Sequence, residues 1–157
     1  MATALLDPAV PGDAHAAERL ATEPVIWLGT VALDGRPHTV PVWFAWSDPK
    51  VTIFSRPDTA KVAHLRAGHD LVTVALDTAG QGTDVVTGSG RATLSTFTKV
   101  EKALDAFGRK YAPMLGGQPL DAWLMTFSLP IVVTLDRFVA WRSTSEGLEY
   151  RSLPSAG

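Results

Sequence analysis

The chain has 157 residues, the usual length of one domain and enough to enclose a substantial core. Its 14 Lys and Arg residues against 16 Asp and Glu residues give a formal net charge of −2, which excludes the strongly charge-driven binding that nucleic acid or an anionic membrane demands. The absence of cysteine excludes disulfides, thiolate nucleophiles and thiolate metal ligands.

The N-terminal residues indicate the cellular compartment in which the protein is expected. Residues 1–20 contain no basic segment followed by an apolar one, as a secretory signal would. No run of the chain approaches the ~20 apolar residues that span a bilayer. We therefore expect a cytoplasmic protein without a membrane or nucleic-acid partner. It should form one domain over 1–157, with its core over about 15–142.

The first predicted elements are a helix and a hairpin. Residues 13–22 are rich in helix formers, with Asp13 placed as the N-cap, and predict a helix. The runs 25–33 and 38–46 are β-branched and aromatic, and the Asp34-Gly35 pair between them is a strong hairpin signal. Two antiparallel strands are therefore expected.

Three further strands and a second helix follow. Residues 50–55 come after a turn cluster and predict a third strand, and a helix begins near Thr59. The run 70–77 predicts a fourth strand and 85–95 a fifth. Two glycines interrupt the fifth strand, which is the usual mark of a bulge or of a bend in a curved sheet.

The C-terminal third contains the strongest helix signal. Apolar residues at steps of three and four predict one buried helix face, formed by Phe97, Val100, Leu104, Phe107 and Tyr111. Thr98 and Glu101 have the spacing of a capping box. A short helical turn is expected within 115–130, and 131–141 is typical of a closing strand.

Together these elements predict a mainly β fold with flanking helices. Six strands, mostly antiparallel, with one helix after the third and another after the fifth, favour a small closed barrel with the helices outside it. Closure removes the open sheet edges that otherwise promote aggregation.

The predicted strands are apolar on both faces, whereas a lone barrel wall should be polar on the outside. In the first strand the two apolar sets are Val25, Trp27 and Val31 on one face and Ile26, Leu28 and Ala32 on the other. We therefore expect a homodimer, in which a second subunit covers part of the sheet.

Two cations flank the turn between the third strand and the following helix. Lys61 falls in the first helical turn, where a cation is unfavourable by about 0.3–1 kcal/mol unless an anion accompanies it. Together with Arg56, the hydroxyls of Ser55 and Thr59 and the free N–H groups, it forms a possible phosphate cradle. In the alternative interpretation Lys61 extends into water and Arg56 pairs with Asp58, whose carboxylate would compete for the same donors.

A family resemblance supports the phosphate cradle. The stretch "GRPHTVPVWFAW", followed by "VTIFSRPDTAKVAHLR" and "LVTVAL", resembles the FMN-binding split barrel of the pyridoxamine 5′-phosphate oxidase-like superfamily. Within it, the pattern is most similar to the actinobacterial branch of deazaflavin (coenzyme F420)-dependent oxidoreductases. The resemblance covers about 15–142 and is most specific over 35–66. It implies a six-stranded antiparallel split β-barrel that is homodimeric, with two cofactor sites at the subunit interface.

The resemblance also implies which residues contact the cofactor. The strand 39–43 would run beside the tricyclic ring, and the turn after Phe54 would hold the phosphate. The residues concerned are Thr39, Val40, Pro41, Val42, Trp43, Phe54, Ser55, Arg56, Thr59, Ala60 and Lys61. Pro41 cannot donate a ladder hydrogen bond, so it indicates an edge, a bulge or a neighbour other than backbone. Trp43 and Phe54 either pack on the ring or fill the core.

Other constellations give weaker signals. The four histidines, His15, His38, His64 and His69, have no metal-ligand spacing, so no metal is predicted. Ser89 in "TGSGR" lies inside a strand and is expected to be structural. His38 is a candidate acid or substrate contact, and Arg137, Trp141 and Arg142 are candidates for reaching the partner's site, but surface and packing roles are favoured for all of them.

The function indicated is an oxidoreductase that binds coenzyme F420 and transfers a hydride between the deazaflavin and an unsaturated organic substrate. No catalytic side chain is required, because such a cofactor carries the chemistry. Two alternatives remain open: an FMN-dependent oxidase or reductase of the same fold, for example one that acts on a B6 vitamer, and a non-catalytic flavin- or haem-binding module.

Overall fold

The structure is a computed structural model that describes residues 3–77 and 80–154. The helices are α1 (Pro11–Thr22), α2 (Ala60–Arg66), α3 (Glu101–Tyr111) and α4 (Leu120–Thr126). The strands are β1 (Ile26–Val31), β2 (Pro37–Val42), β3 (Ala45–Ser47), β4 (Lys50–Ser55), β5 (Leu71–Leu76), β6 (Asp84–Leu94), β7 (Leu129–Thr144) and β8 (Gly147–Leu153). Within the described residues, no helix is long and apolar enough to cross a bilayer.

All strands belong to one antiparallel sheet, in the order β2-β1-β5-β6-β7-β4-β3, with β8 paired to β7. The sheet is curled, and the helices lie beside it. Among the described strands no ladder pairs β2 with β3, the two ends of this order, so hydrogen bonds do not close the sheet. The expected closed barrel is therefore corrected to a split one.

The described part of the chain has eight strands instead of the expected six. The run 38–46 divides into β2 and β3 because the N–H of Phe44 leaves the ladder and donates to the hydroxyl of Tyr111 at 2.9 Å. At the other end, the chain turns after Thr144 and returns as β8, which pairs with β7 beyond the expected limit of the core. None of the residues of this last strand is buried, so its sequence carries no burial signal.

Two helix starts differ from the sequence prediction. Helix α1 begins at Pro11, so Asp13 lies in its first turn instead of at the N-cap. The Asp13 side chain is fully buried and its carboxylate accepts hydrogen bonds from Arg151 and from the Asp7 N–H. Helix α3 begins at Glu101 without a side-chain cap, and the Thr98 hydroxyl bonds that of Thr96 instead of forming a capping box.

The core has two parts. The larger fills the concave side of the sheet, where β1 points Ile26 and Leu28 inward and leaves Trp27 on the outer face. The smaller packs α3 and α4 against β3 and β4, and Phe107 and Tyr111 of α3 are fully buried there. This second core carries the aromatic residues that the site uses.

The glycines of the fifth predicted strand do mark a bulge. The register of β6 against β7 shifts between Ser89 and Gly90. A Cβ atom at Gly90 would overlap the carbonyl oxygen of Thr134 and lie 2.8 Å from the Cα of Leu135. Only glycine allows β7 to approach this closely, and the bend it permits curls the sheet.

Gly90→Ala should therefore destabilise the fold by about 2–3 kcal/mol, the upper range for overpacking, because backbone atoms must move to admit the methyl group. Gly12→Ala in α1 is the matched control, since the nearest atom to its Cβ is at 3.6 Å, an ordinary contact. Urea denaturation measures both. Equal free energies of unfolding for the two variants would contradict the role assigned to Gly90.

Candidate functional site

A cavity of about 390 Å³ opens at the C-terminal end of β4, a volume at the small end of the ~300–1,000 Å³ common for cofactor pockets. We call it the β4 cavity. It is lined by Val25, Pro41, Val42, Trp43, Phe54, Ser55, Arg56, Thr59, Lys61, Trp123 and Phe127. The structure thus brings the end of β2, the turn before α2 and helix α4 to one place.

Three of the predicted cofactor contacts do not line the β4 cavity. Thr39 is exposed on the outer face of the sheet, where it lines a different cavity with Thr73 and Arg137. Val40 is half-buried, and Ala60 is exposed at the first position of α2. Only the C-terminal end of β2, with Pro41 and Val42, reaches the β4 cavity, and the earlier residues of the strand lie away from it.

Lys61 is the distinctive cation of the β4 cavity. Its side chain is half-buried, and among the described residues no oxygen atom forms a hydrogen bond or ion pair with its ammonium group. Burial lowers its pKa from the ordinary value of 10.5. A desolvated, unneutralised ammonium is a site at which a bound anion gains more than it would at the surface.

Arg56 behaves differently. Its Nε and Nη2 donate to the two carboxylate oxygens of Asp58 at 3.1 and 2.9 Å, and both side chains are more than half exposed. The hydrogen bond from Arg56 lowers the pKa of Asp58. The Arg56–Asp58 pair of the alternative interpretation is therefore present, whereas Lys61 is half-buried and does not extend into water as that interpretation required.

The hydroxyl groups of the predicted phosphate cradle form hydrogen bonds within the turn itself. Ser55 Oγ and Thr59 Oγ1 both donate to the carbonyl oxygen of Arg56, at 2.8 and 3.3 Å. Thr59 is the N-cap residue of α2 but makes no side-chain cap, and the helix is only seven residues long. The attraction for an anion therefore comes mainly from the charge of Lys61, because Arg56 is already paired with Asp58.

Three aromatic side chains line the same cavity as the two cations, and we call Trp43, Trp123 and Phe127 the aromatic wall. Trp43 stacks on Tyr111 at 4.5 Å between ring centroids and on Trp123 at 5.7 Å, and Trp123 stacks on Phe127 at 4.1 Å. Trp43 therefore both packs in the second core and faces the cavity. Phe54 is 4% exposed and meets Phe107 edge-on, so its main role is core filling.

Trp123 and Phe127 are site residues that sequence reasoning missed. They lie four positions apart around α4, so both fall on one helix face and reach the cavity together. This spacing was visible in "DAWLMTF", but nothing local showed that α4 packs beside residues more than sixty positions earlier.

Tyr111 and Lys110 support the aromatic wall through contacts with Phe44 and Trp43. The Tyr111 hydroxyl accepts the Phe44 N–H and donates to the carbonyl oxygen of Pro24 at 2.8 Å. The Lys110 ammonium donates to the Phe44 carbonyl oxygen at 3.2 Å and lies 3.7 Å from the centre of the Phe44 ring. Burial lowers the pKa of Lys110 to about 8 and raises that of Tyr111 to about 12.

Other candidate residues of the sequence lie elsewhere. The His38 and His64 rings touch edge-on at 5.5 Å, and the buried Nδ1 atom of His38 has no hydrogen-bond partner. Trp141 donates to the carbonyl oxygen of Gly82, and Arg142 pairs with Glu149. Residues 3–77 and 80–154 contain no group of three or more His, Asp or Glu placed to hold a metal ion.

A second cavity, of about 300 Å³, lies between α1 and strands β6 to β8. Its charged lining residues already have partners: Asp13 pairs with Arg151, Asp84 with Arg19, and Arg142 with Glu149. Burial alone would raise the pKa of Asp84, but hydrogen bonds from His15 and Arg19 outweigh it and hold the pKa below its usual value. The β4 cavity, with its unpaired cation, is the better candidate for an anionic ligand.

The family profile of pyridoxamine 5′-phosphate oxidase matches residues 13–129, a span that includes every residue lining the β4 cavity. The chain belongs to the pyridoxamine 5′-phosphate oxidase family. That family lies within the superfamily of flavin-binding split-barrel oxidoreductases, as the sequence resemblance implied. No curated protein sequence is significantly similar to this family member.

Solved structures of the same fold extend the comparison. An F420 reductase is 20% identical, over 77% of this chain and 94% of its own, with a TM-score of 0.60. A FAD-binding protein from Mesorhizobium loti is 23% identical, over 81% and 91%, with a TM-score of 0.61. A pyridoxamine 5′-phosphate oxidase-related, FMN-binding protein from Nostoc punctiforme is 16% identical, over 94% and 96%, with a TM-score of 0.59. Identities this low show the shared fold alone.

Raising the pH from about 8 to about 10 should stabilise this family member relative to its Lys110→Met variant. The pKa of Lys110 is about 8 in the folded state against 10.5 ordinarily. The unfolded chain therefore binds more protons between these values, and the free energy of unfolding rises with pH there. Above its ordinary pKa of 10.0, Tyr111 has the opposite effect.

Thermal unfolding midpoints of both proteins, taken in steps from about pH 7 to pH 10, test this expectation. The difference between the proteins isolates Lys110, because all other titrating groups are shared. Parallel pH curves would contradict the buried environment assigned to this ammonium group.

Proposed function

We propose that this protein is an oxidoreductase that binds coenzyme F420 and transfers a hydride between the deazaflavin and an unsaturated organic substrate. The observation that carries the proposal is the half-buried ammonium of Lys61, which has no oxygen partner among the described residues and lines the same cavity as the aromatic wall. A phosphate and a tricyclic ring need these two surfaces in one place. The solved F420 reductase of the same fold adds support.

Each group of residues has a distinct task in this proposal. Lys61 holds the phosphate, with Arg56 beside it. Trp43 and Trp123 offer flat apolar surface to the ring, and Pro41 at the end of β2 presents no N–H that would need a partner there. When bound, the deazaflavin supplies hydride transfer. The protein contributes orientation and exclusion of water from one face, and solvent supplies the proton.

The firm attachment of the turn before α2 also suits the β4 cavity to such a cofactor. Phe54 and Ser55 are buried at the end of β4, where they pair with Pro130 and Leu129 of β7, so the sheet holds the start of the phosphate turn in place. A rigid anchor fixes the ring relative to its substrate, which is the main source of rate when the cofactor carries the chemistry.

FMN is the second candidate cofactor, because the Nostoc punctiforme protein of the same fold binds it. Titration of the protein with F420 and with FMN decides between them. Binding of F420 at low micromolar concentration, with FMN at least about tenfold weaker, is the expected result. The reverse order would assign the protein to FMN, and binding of neither would overturn the proposal.

Turnover separates an enzyme from a binding module. Reduced F420 should be oxidised in the presence of at least one member of a panel of enones, quinones and tetrapyrroles. Tight binding of F420 with no oxidation across the panel would instead support a non-catalytic flavin- or haem-binding module.

We also propose that the protein is a homodimer. The outer face of β1 and β5 exposes Trp27 by 38%, Val31 by 36% and Leu71 by 60%, an apolar set that a second subunit would cover. Sedimentation at micromolar concentration should give the dimer mass of two 16.8 kDa chains. A monomer mass would contradict the expectation.

Lys61→Ala should weaken cofactor binding by about 1–3 kcal/mol, the range for a charge-assisted contact, with little loss of fold stability. Lys50→Ala is the matched control, since Lys50 is an exposed lysine at the start of β4 and lies outside the β4 cavity. Calorimetric titration measures both. Unchanged affinity in the Lys61 variant would eliminate the proposed anchor.

A further inference from the structure

Strand β8 leaves one edge of the sheet unpaired. It pairs with β7 on one side only, and among the described residues no other strand or loop forms a backbone hydrogen bond with its free side. The strand is seven residues long and contains no proline and no lysine, and its register against β7 has no bulge. Proline, lysine and bulges are devices that block pairing with another chain, so this edge is open to a further strand.

The free hydrogen-bonding groups of this edge belong to alternate residues. A two-residue turn makes Thr144 and Gly147 the closing pair of the β7–β8 hairpin, and the closing pair of such a turn is hydrogen-bonded. Because hydrogen-bonded and non-hydrogen-bonded pairs alternate along an antiparallel ladder, the N–H and C=O groups of Leu148, Tyr150 and Ser152 point away from β7. A partner strand must therefore bond to these three residues.

The same edge exposes two large apolar side chains. Leu148 is 67% exposed and Tyr150 is 63% exposed. They are two positions apart, so both lie on the same face of β8. Removing apolar surface from water is favourable, so a neighbouring strand that covers these side chains would be stabilised.

Two opposite charges flank Tyr150 on the other face of the strand. Within the chain, Glu149 pairs with Arg142 and Arg151 pairs with Asp13. The side chains of Glu149 and Arg151 nevertheless remain 39% and 35% exposed. Each therefore has room for a second partner of opposite charge.

We propose that β8 pairs with the β8 of a second copy of this chain, antiparallel and centred on Tyr150. A two-fold axis through the centre makes the two edges identical, so the same contact serves both copies. In this register Tyr150 lies opposite the partner's Tyr150, and Glu149 lies opposite the partner's Arg151. The two rings cover each other on one face of the joined sheet, and opposite charges meet on the other.

Charge selects this register among those that hydrogen bonding permits. A centre between two residues would set outward-pointing groups against groups that already bond to β7, so no ladder would form. Moving the centre by one residue places Glu149 opposite the partner's Glu149, or Arg151 opposite the partner's Arg151, and like charges directly opposite are destabilising. An arbitrary strand need not carry acid and base in matching order, so this self-complementarity identifies a second copy as the occupant.

The edge contact uses different strands from the outer face of β1 and β5 that the proposed homodimer covers. It also does not depend on a cofactor, so it goes beyond the proposed function. One pair of seven-residue edges buries less surface than a standard interface, so the contact should form at about 100 μM protein or above, where it joins two homodimers. The dimer mass expected at micromolar concentration is therefore unchanged.

The absence of cysteine from the chain allows a direct test of this pairing. Tyr150→Cys places two thiols in one cross-strand pair with Cα atoms about 5.5 Å apart, a distance that a disulfide spans. Leu148→Cys is the matched control, because Leu148 is as exposed as Tyr150 but its two copies would lie roughly 14 Å apart. Each variant is oxidised with diamide, which accepts two electrons and two protons per disulfide, and linked dimer is measured by non-reducing electrophoresis.

At about 100 μM protein, Tyr150→Cys should give at least about tenfold more disulfide-linked dimer than Leu148→Cys. A second variant adds Ser152→Pro to Tyr150→Cys. This proline removes an N–H that points to the partner and none that bonds to β7, so the amount of linked dimer should fall toward that of Leu148→Cys. Circular dichroism before oxidation checks that all three variants are folded.

Three outcomes would overturn the inference. Equal yields from Tyr150→Cys and Leu148→Cys, including none from either, would mean that the strands do not pair in a fixed register. A higher yield from Leu148→Cys would show a different register and remove the role given to the charges. A yield that Ser152→Pro leaves unchanged would show that the thiols meet through another surface, such as the outer face of β1 and β5.

Discussion

A half-buried ammonium group without a counter-ion is the constraint on which this site depends. Burying a charge is costly, and the cost is tolerated where function requires the charge. At Lys61 the cost shows as a lowered pKa, and an anion bound beside it would relieve that penalty. The surrounding turn contributes little else, since its hydroxyls bond backbone and its arginine is already paired.

Two features of the fold bring this cation and the aromatic wall to one cavity. The sheet holds the turn that leads to Lys61, because the last residues of β4 pair with β7 and Ser55 is buried. The second core fixes the wall, because Tyr111 holds Phe44 out of the strand ladder and stacks on Trp43. The break between β2 and β3 is thus a structural requirement of the site.

The sequence was informative where the signals are local. The strand 50–55, the start of α2 after Thr59 and the bulge at Gly90 were confirmed, because residue type alone determines them. The break at residues 43–44 was missed because it depends on a hydrogen bond to a residue 67 positions away. Trp123 and Phe127 were missed because their place beside the cavity also depends on contacts with residues distant in the sequence. Strand β8 was missed because none of its residues is buried, so its pattern carries no burial signal.

The most direct test is a crystal structure of the protein with coenzyme F420. The account predicts the phosphate within hydrogen-bond distance of the Lys61 ammonium, at about 2.7–2.9 Å between nitrogen and oxygen, with the ring along Trp43 and Pro41. A phosphate seated in the cavity between α1 and β6 to β8, or a ring bound with Lys61 still facing no anion, would contradict it.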